Sequence, residues 1–206
     1  MSAAKPRRVR LPAAERRAQL IRIAQEVYLD LGIDRTSVLK VARAAGVNNA
    51  TIYQHFSSTA ELFEEAVLRP LGRTLDEELT AADSRLEGLD SAERLNEMHT
   101  ALASTMARIG RMLNAILFAS NDAGRRYFAE HLHPRLVAWI AGQLDAAGQS
   151  NTGPAASAAP GILGVHLWLA MHTEYRGDGD THRWTAGIAD FLNGGLEQAL
   201  PTTAER

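Results

Sequence analysis

The chain has 206 residues, no cysteine, 46% hydrophobic residues and a formal net charge of −2 at neutral pH. That length holds one small module plus a larger core, and the apolar content excludes a disordered majority. Without cysteine, a disulfide framework, a thiolate metal site and a thiol redox switch are excluded.

No segment approaches the roughly 20 uninterrupted apolar residues of a membrane span, and no apolar run follows the basic N-terminus. The expectation is a soluble, cytoplasmic chain with no membrane partner. The near-neutral total hides a split. Residues 1–56 carry ten basic and four acidic side chains, and the rest of the chain carries 12 and 20. A basic end on an acidic body suits a polyanion-binding module joined to a domain that does not bind polyanions, because phosphate contacts supply most non-specific affinity for duplex DNA. The run Lys5-Pro-Arg-Arg-Val-Arg10 marks residues 1–12 as a basic flexible arm. It suits a segment reaching phosphates or a minor groove, and equally a solvated tail.

The first helix opens at Pro12-Ala-Ala-Glu15, proline and acid standing where a helix start prefers them. Leu20, Ile23, Ala24, Val27, Tyr28 and Leu31 then recur at helical period up to Gly32. Val38, Val41, Ala42 and Ala45 form a second, shorter stripe that Gly46 stops. Glycine accepts the left-handed backbone of a sharp turn, and Val47 plugs the corner. Asn48 caps the next helix, whose Ile52 faces inward. That leaves Asn48, Asn49, Thr51, Tyr53, Gln54 and His55 for DNA. Asn and Gln pair two-pronged with an adenine edge, while Thr, Tyr and His suit phosphate oxygens. Ser58 and Glu61 have the spacing of a capping box opening another helix. The whole reads as a helix-turn-helix, with an ordinary two-helix corner as the bland alternative.

Beyond it, Leu62, Phe63, Ala66, Val67, Leu71, Leu75 and Leu79 continue one long pattern past Pro70, which is expected to kink the helix. Amphipathic stretches follow at about 92–109, 111–119 and 124–147, then a loop by composition over 148–161 and two more helices at 162–175 and 181–200. No alternating run argues for a sheet. The expected fold is all-α: a three-helix helix-turn-helix domain at 13–57, then a helical domain at 58–206, about nine helices in all.

The pattern Thr36-Ser-Val through Ala42, Ala45-Gly46-Val47, Thr51-Ile52-Tyr53, His55-Phe56 and Ser58 to Leu62 closely resembles the TetR family of bacterial transcriptional regulators, densely so over about residues 15–68. The resemblance implies three N-terminal helices bearing DNA, a linking fourth, and a divergent helical body that binds a small-molecule effector and dimerises. Carried over by position, Asn48, Asn49, Ala50 and Gln54 are base readers and Tyr53 reaches a base or a phosphate. Thr36, Ser37, Thr51, His55 and Thr59 are phosphate positioners. Two positions depart from the pattern: Ala50 stands where many members have glycine, and Thr59 where a lysine commonly meets the backbone. Threonine in place of that lysine removes a charge contact, from which either a weaker affinity or a shift of affinity onto the N-terminal arm is expected.

One recognition helix spans few base pairs, so selectivity needs two copies on a palindromic operator, a requirement for a homodimer. Leu163, Val165, Leu167, Trp168, Leu169, Ala170 and Met171 make one late helix apolar nearly all round, and Trp184, Ile188, Phe191, Leu192, Leu196 and Leu200 stripe the other. Two such helices per chain suit a four-helix interface, with Trp168, Trp184, Ile188, Phe191 and Leu192 at its heart. The alternative is that they close a monomer's core. For the effector, His99, Leu102, Met106, Met112, Ile116, Phe118, Tyr127, Phe128, Trp139, His166 and Met171 mix bulky apolar groups with a few polar tips, as a pocket needs and as any core shows. The scarcity of Lys and Arg among them favours an uncharged, mostly apolar molecule. No cofactor is expected. His131-x-His133 and the cluster Glu174, Asp178, Asp180 and His182 are the nearest approach to a catalytic or metal set, and neither has the i,i+4 spacing of a helical metal pair. Regulation of transcription, as a repressor released by its effector, is therefore the expectation, against a nucleoid-type DNA binder without an effector.

Overall fold

The structure, a computed structural model, describes residues 12–117, 122–149, 158–176 and 181–199, and their side chains except those of 173–176, 181–184 and 195–199. The basic arm, Phe118, Asp178 and Asp180 lie outside the described residues, as do the side chains of Glu174, His182 and Trp184.

Among the described residues there is helix and no strand: α1 (Ala13–Leu31), α2 (Val38–Ala44), α3 (Asn49–His55), α4 (Thr59–Phe63), α5 (Arg69–Leu86), α6 (Ser91–Leu117), α7 (Asp122–Tyr127), α8 (His133–Ala146), α9 (Ala158–Arg176) and α10 (Thr181–Ala199). Two π-helical segments, Glu64–Leu68 and Phe128–Leu132, join α4 to α5 and α7 to α8, so ten α segments run as eight continuous rods. Both π segments end two residues before a proline, Pro70 and Pro134. Proline lacks the N–H of the helical ladder and its ring crowds the carbonyl four residues back. A π turn, closing i→i+5, widens the preceding turn and relieves both problems. Pro70 thus meets a widened turn where the sequence suggests a kink. The break expected near residue 110 is also absent. Gly110 lies inside α6, buried, and a Cβ on it would sit 4.0 Å from the Cβ of Ala170 in α9. A side chain there would meet α9 at ordinary contact distance, so this glycine neither breaks α6 nor is demanded by crowding.

The chain forms two compact units, one ending at Leu68 and one starting at Arg69. The division falls later than 57/58 because α4 and the first π segment bury Leu62, Phe63, Ala66 and Val67 and pack on α1. In the first unit α1 supplies Leu20, Ala24 and Tyr28, a four-residue stripe on one helix face. Tyr28 is buried edge-on against Phe63 at 5.2 Å, and that burial pushes its phenol up to about 12. Arg17 on α1 reaches Glu61 and Glu65 at 3.2 Å each and lays its guanidinium 4.8 Å above the ring of Phe56. Its own pKa rises, chiefly through the Glu65 hydrogen bond.

In the second unit α6 is the central rod, packed by α5, α7, α8, α9 and α10. Its buried residues recur on every turn, among them Leu95, Met98, His99, Leu102, Met106, Ile109, Leu113 and Ile116. The outer acids of α5 tie it to its neighbours: Glu78 to Arg108 at 3.0 Å, Asp76 to Arg135, and Asp83 to the indole N–H of Trp139 at 2.7 Å.

Three glycines show how local space sets the sign of a substitution. Alanine in a helix is favoured over glycine by about 1 kcal/mol where nothing intervenes. Gly142 in α8 is such a place, exposed with nothing within 4 Å of a Cβ. At Gly124 a Cβ would stand 2.8 Å from both the Cβ and the carbonyl oxygen of Ile116. At Gly72 it would stand 2.7 Å from the hydroxyl oxygen of Tyr127. Urea melts should therefore show Gly142→Ala stabilised and Gly124→Ala destabilised by about 1–3 kcal/mol, since backbone cannot yield. Gly72→Ala should lose stability and recover it when combined with Tyr127→Phe. A Gly124→Ala protein as stable as the parent would contradict the close α6–α7 approach.

Candidate nucleic-acid interface

The helix-turn-helix is built by its caps. Ser37 accepts the Lys40 amide at 3.4 Å and opens α2, while the Lys40 ammonium donates to the Arg35 carbonyl at 2.6 Å. At the other end the Gly46 N–H bonds the Arg43 carbonyl at 3.1 Å and the Val47 N–H the Ala42 carbonyl at 2.9 Å, with Gly46 at φ 64°. These paired bonds around a left-handed residue are a Schellman motif, which satisfies the last carbonyls of α2 and turns the chain sharply. Asn48 then opens α3: its Oδ1 accepts from the Thr51 N–H and the Thr51 hydroxyl, both at 2.8 Å.

Ile52 is 1% exposed and pins α3 to the unit. Its burial turns Asn49, Ala50, Tyr53 and Gln54 outward, all exposed, with Tyr53 at 54%. Positions i, i+1, i+4 and i+5 share one face of a helix. That face offers a carboxamide at each end, a phenol beside it, and at Ala50 a small side chain that lets a partner approach closely. Thr51 and His55 are half-buried on its flanks, and Thr59 is exposed in the first turn of α4.

Several residues read from the sequence as DNA contacts are also engaged within the fold. The Thr36 hydroxyl faces inward, donating to the carbonyls of Gly32 at 2.8 Å and Val27 at 3.3 Å, so its proton secures the end of α1. Asn48 spends its oxygen on the cap and keeps its amide N–H groups for other partners. The Ser58 hydroxyl accepts the Glu61 N–H at 3.1 Å, but Glu61 returns its carboxylate to the N–H and hydroxyl of Ser57 at 2.7 Å each, one residue earlier than a capping box requires. Those Ser57 bonds, helped by Arg17, hold the Glu61 carboxyl below the ordinary carboxylate range. Sequence reasoning passed over Arg17 and its Glu61 and Glu65 partners; Glu61 and Glu65, one helical turn apart, were the available signal.

Residues 20–66 match the family model of "Bacterial regulatory proteins, tetR family". The match falls within the N-terminal unit and covers the helix-turn-helix. The HTH-type transcriptional regulator TtgR of Pseudomonas putida is 38% identical over 81 residues, 39% of this chain and 38% of its own length. The matched stretch thus spans well under half of that relative. Likeness of fold extends further. A TetR-like transcriptional regulator from Rhodococcus superposes with a TM-score of 0.72 at 22% identity, over 91% of this chain and 98% of that one. FadR from Bacillus subtilis, in complex with stearoyl-CoA, gives 0.64 at 19% identity over 85% and 96%. The tetR-type fold, an N-terminal helix-turn-helix domain followed by a helical one, therefore covers nearly the whole chain.

The candidate effector residues of the second unit fall into separate places. Leu102, Met106, Met112 and Ile116 are buried along α6. Tyr127, Phe128 and Met171 are half-buried. Trp139 is half-buried against the cluster of Ala82, Leu86 and Ala101, with its polar tip on Asp83. His99 and His166 come together, their rings stacked 5.2 Å apart at 11° between α6 and α9. Of the candidate interface residues, Trp168 and Phe191 are 50% and 79% exposed, and Ile188 and Leu192 are half-buried. Among the described residues no group of three or more His, Cys, Asp or Glu gathers as a metal site would require, and no helix is long and apolar enough to cross a membrane.

Proposed function

We propose that this protein is a sequence-specific DNA-binding regulator of transcription, a homodimer that holds a palindromic operator and releases it when a small molecule binds the second unit. The observation that carries this reading is the outward face of α3, with Asn49, Ala50, Tyr53 and Gln54 exposed on a helix capped at its start and pinned by Ile52. Such a helix fits a major groove, and the tetR-family match covers it. Asn49 and Gln54 read base edges in this proposal; Tyr53 reaches a base or a phosphate; Ser37, Thr51, His55 and Thr59 position the backbone, with the Asn48 amide added. Repression by occlusion of a promoter is the simplest outcome, and the cytoplasm is where its DNA lies.

Dimerisation is supported by the outer faces of α9 and α10. Gly161, Gly164 and Trp168 share one exposed face of α9, and on α10 the exposed Gly187 and Phe191 share a face with the half-buried Gly194. A Cβ on any of the four glycines would meet nothing within 4 Å. Each face thus pairs a protruding aromatic with shallow glycine positions, a shape complementary to its own copy across a two-fold axis. An effector in the second unit is supported by the FadR likeness, whose structure holds stearoyl-CoA. A ligand acts by binding one conformation of the dimer better than another, and shifts the equilibrium only by that difference.

The test is selection of binding sites from a random duplex pool with the full chain at near-physiological salt. An enriched palindrome is the expected result. Binding without enrichment would replace this reading with a sequence-tolerant, nucleoid-type role.

A further inference from the structure

His99 and His166 are 0% and 1% exposed, yet each keeps one ring nitrogen without a hydrogen-bond partner: Nδ1 of His99 and Nε2 of His166. The other two nitrogens reveal where the protons are. Nδ1 of His166 lies 2.9 Å from the carbonyl oxygen of Ile162, which only accepts, so that nitrogen donates. Nε2 of His99 lies 3.1 Å from Oδ1 of Asn193, whose amide N–H donates in turn to Asn96 at 2.9 Å. That nitrogen donates too. Both rings are neutral, since burial pulls their pKa values down, His99 to about 4; the carbonyls of Ile162 and His99 pull His166 partly back up, but the His99 carbonyl completes no hydrogen bond to Nε2. Each bare nitrogen is then a lone pair, and two lone pairs cannot satisfy one another. Buried polar groups are nearly always paired, so the pair calls for a donor from outside the chain.

We propose that the His99–His166 pair is the polar anchor of a ligand site in the second unit, and that it takes an uncharged molecule with an apolar body and a hydroxyl that donates to these imidazoles. The apolar part follows from the same helix faces: Leu95, Leu102 and Met106 flank His99 along α6, and Ile162, Leu163 and Leu169 flank His166 along α9, all buried. The hydroxyl follows from the lone pairs. A metal ion finds no third ligand among the described residues. A groove of about 300 Å³, lined by Asn96, Thr100, Thr185, Ala186, Ala189 and Asp190, adjoins this system: Asn96 in its wall holds Asn193, which holds His99. The inference rests on reading the second unit as an effector domain, and names the chemistry that effector carries.

Anisole keeps the ring and oxygen of phenol but carries a methyl group in place of the hydroxyl proton, and calorimetry with the full chain at pH 7.5 compares the two, with the His166→Phe variant separating the lost donor from the added methyl. Phenol should bind at least roughly tenfold more tightly than anisole, the span of one buried hydrogen bond. The preference should disappear in His166→Phe, which keeps a flat ring and loses the lone pair. Nitrogen-15 spectra of the parent's imidazoles give a readout independent of any variant: phenol should move Nε2 of His166 and Nδ1 of His99, and anisole neither. Equal binding of both probes with silent imidazoles would overturn the anchor while leaving an apolar effector pocket in place. Binding of neither at tens of millimolar would also overturn it, and the site-selection experiment would still decide the regulator reading separately.

Discussion

Replacing Asn49 and Tyr53 together with alanine should abolish selective operator binding while leaving helicity, dimer mass and urea midpoint unchanged. Both side chains are exposed on α3 and take no part in the caps that Asn48 and Ser58 provide, so the fold loses little. In the proposed dimer the loss at DNA is large because it is counted in each half-site. A two-pronged contact from asparagine to adenine discriminates by about 1–3 kcal/mol. Two copies on a palindrome double that, so the ratio of operator to scrambled-duplex affinity should fall by roughly two orders of magnitude or more. Anisotropy titrations on both duplexes, beside sedimentation and circular dichroism, measure it. Non-specific binding should persist, since the exposed Arg22, Arg35 and Arg43 are untouched. Retained selectivity would move the reading surface off α3.

The second large effect is on stability in mild acid. His99 ordinarily titrates at 6.5 and is held at about 4 in the folded chain, first by desolvation, then by the neighbouring His166, against a smaller upward pull from Asn193. His166 is lowered as well, again by burial. A base whose folded pKa is depressed gives its full stability above the unfolded value; below that the unfolded chain binds protons that the folded chain refuses. Stability should therefore fall as pH drops from about 6.5 to 4, by about 3 kcal/mol from His99 alone, with His166 adding in the same direction. The groups around the pair do not reverse this: α9 offers His166, α10 the neutral Asn193, and α6 the neutral Asn96. The carboxyls of Glu61 and Asp122 also have lowered values, but their loss comes below the ordinary carboxylate range, a lower window. Urea melts between pH 8 and 4.5 should show the decline in the parent and a flatter profile in His99→Leu combined with His166→Leu. An equally steep double variant would assign the acid sensitivity elsewhere.

Local chemistry carried much of this fold and tertiary contact carried the rest. Gly46, Asn48 and Ser58 do at the turns what their residue types dictate, because caps and left-handed turns involve neighbours in sequence. The helical stripe of α1 is likewise legible in Leu20, Ala24 and Tyr28. Prolines and glycines within helices were harder, since their meaning depends on what lies beside them: Gly124 on Ile116, Pro70 on a turn that can widen. The candidate interface divided in the same way. Which residues of α3 point outward follows from Ile52, while the inward bonds of Thr36 depend on carbonyls at the end of α1. The pairing of His99 with His166 had no sequence signal, because nothing in either helix alone predicts that two imidazoles will stack across it.

The two π segments also tie each proline to the turn before it. A π turn is an α-helix with one residue too many, and at 64–68 and 128–132 the extra residue stands just ahead of a proline. Loss of that residue would restore a narrow turn and bring Pro70 or Pro134 against a carbonyl it cannot tolerate. Bulge and proline therefore depend on each other, and removing the extra residue alone should destabilise the rod where replacing the proline as well should not. The tetR-family match stops at residue 66, inside the first of these bulges.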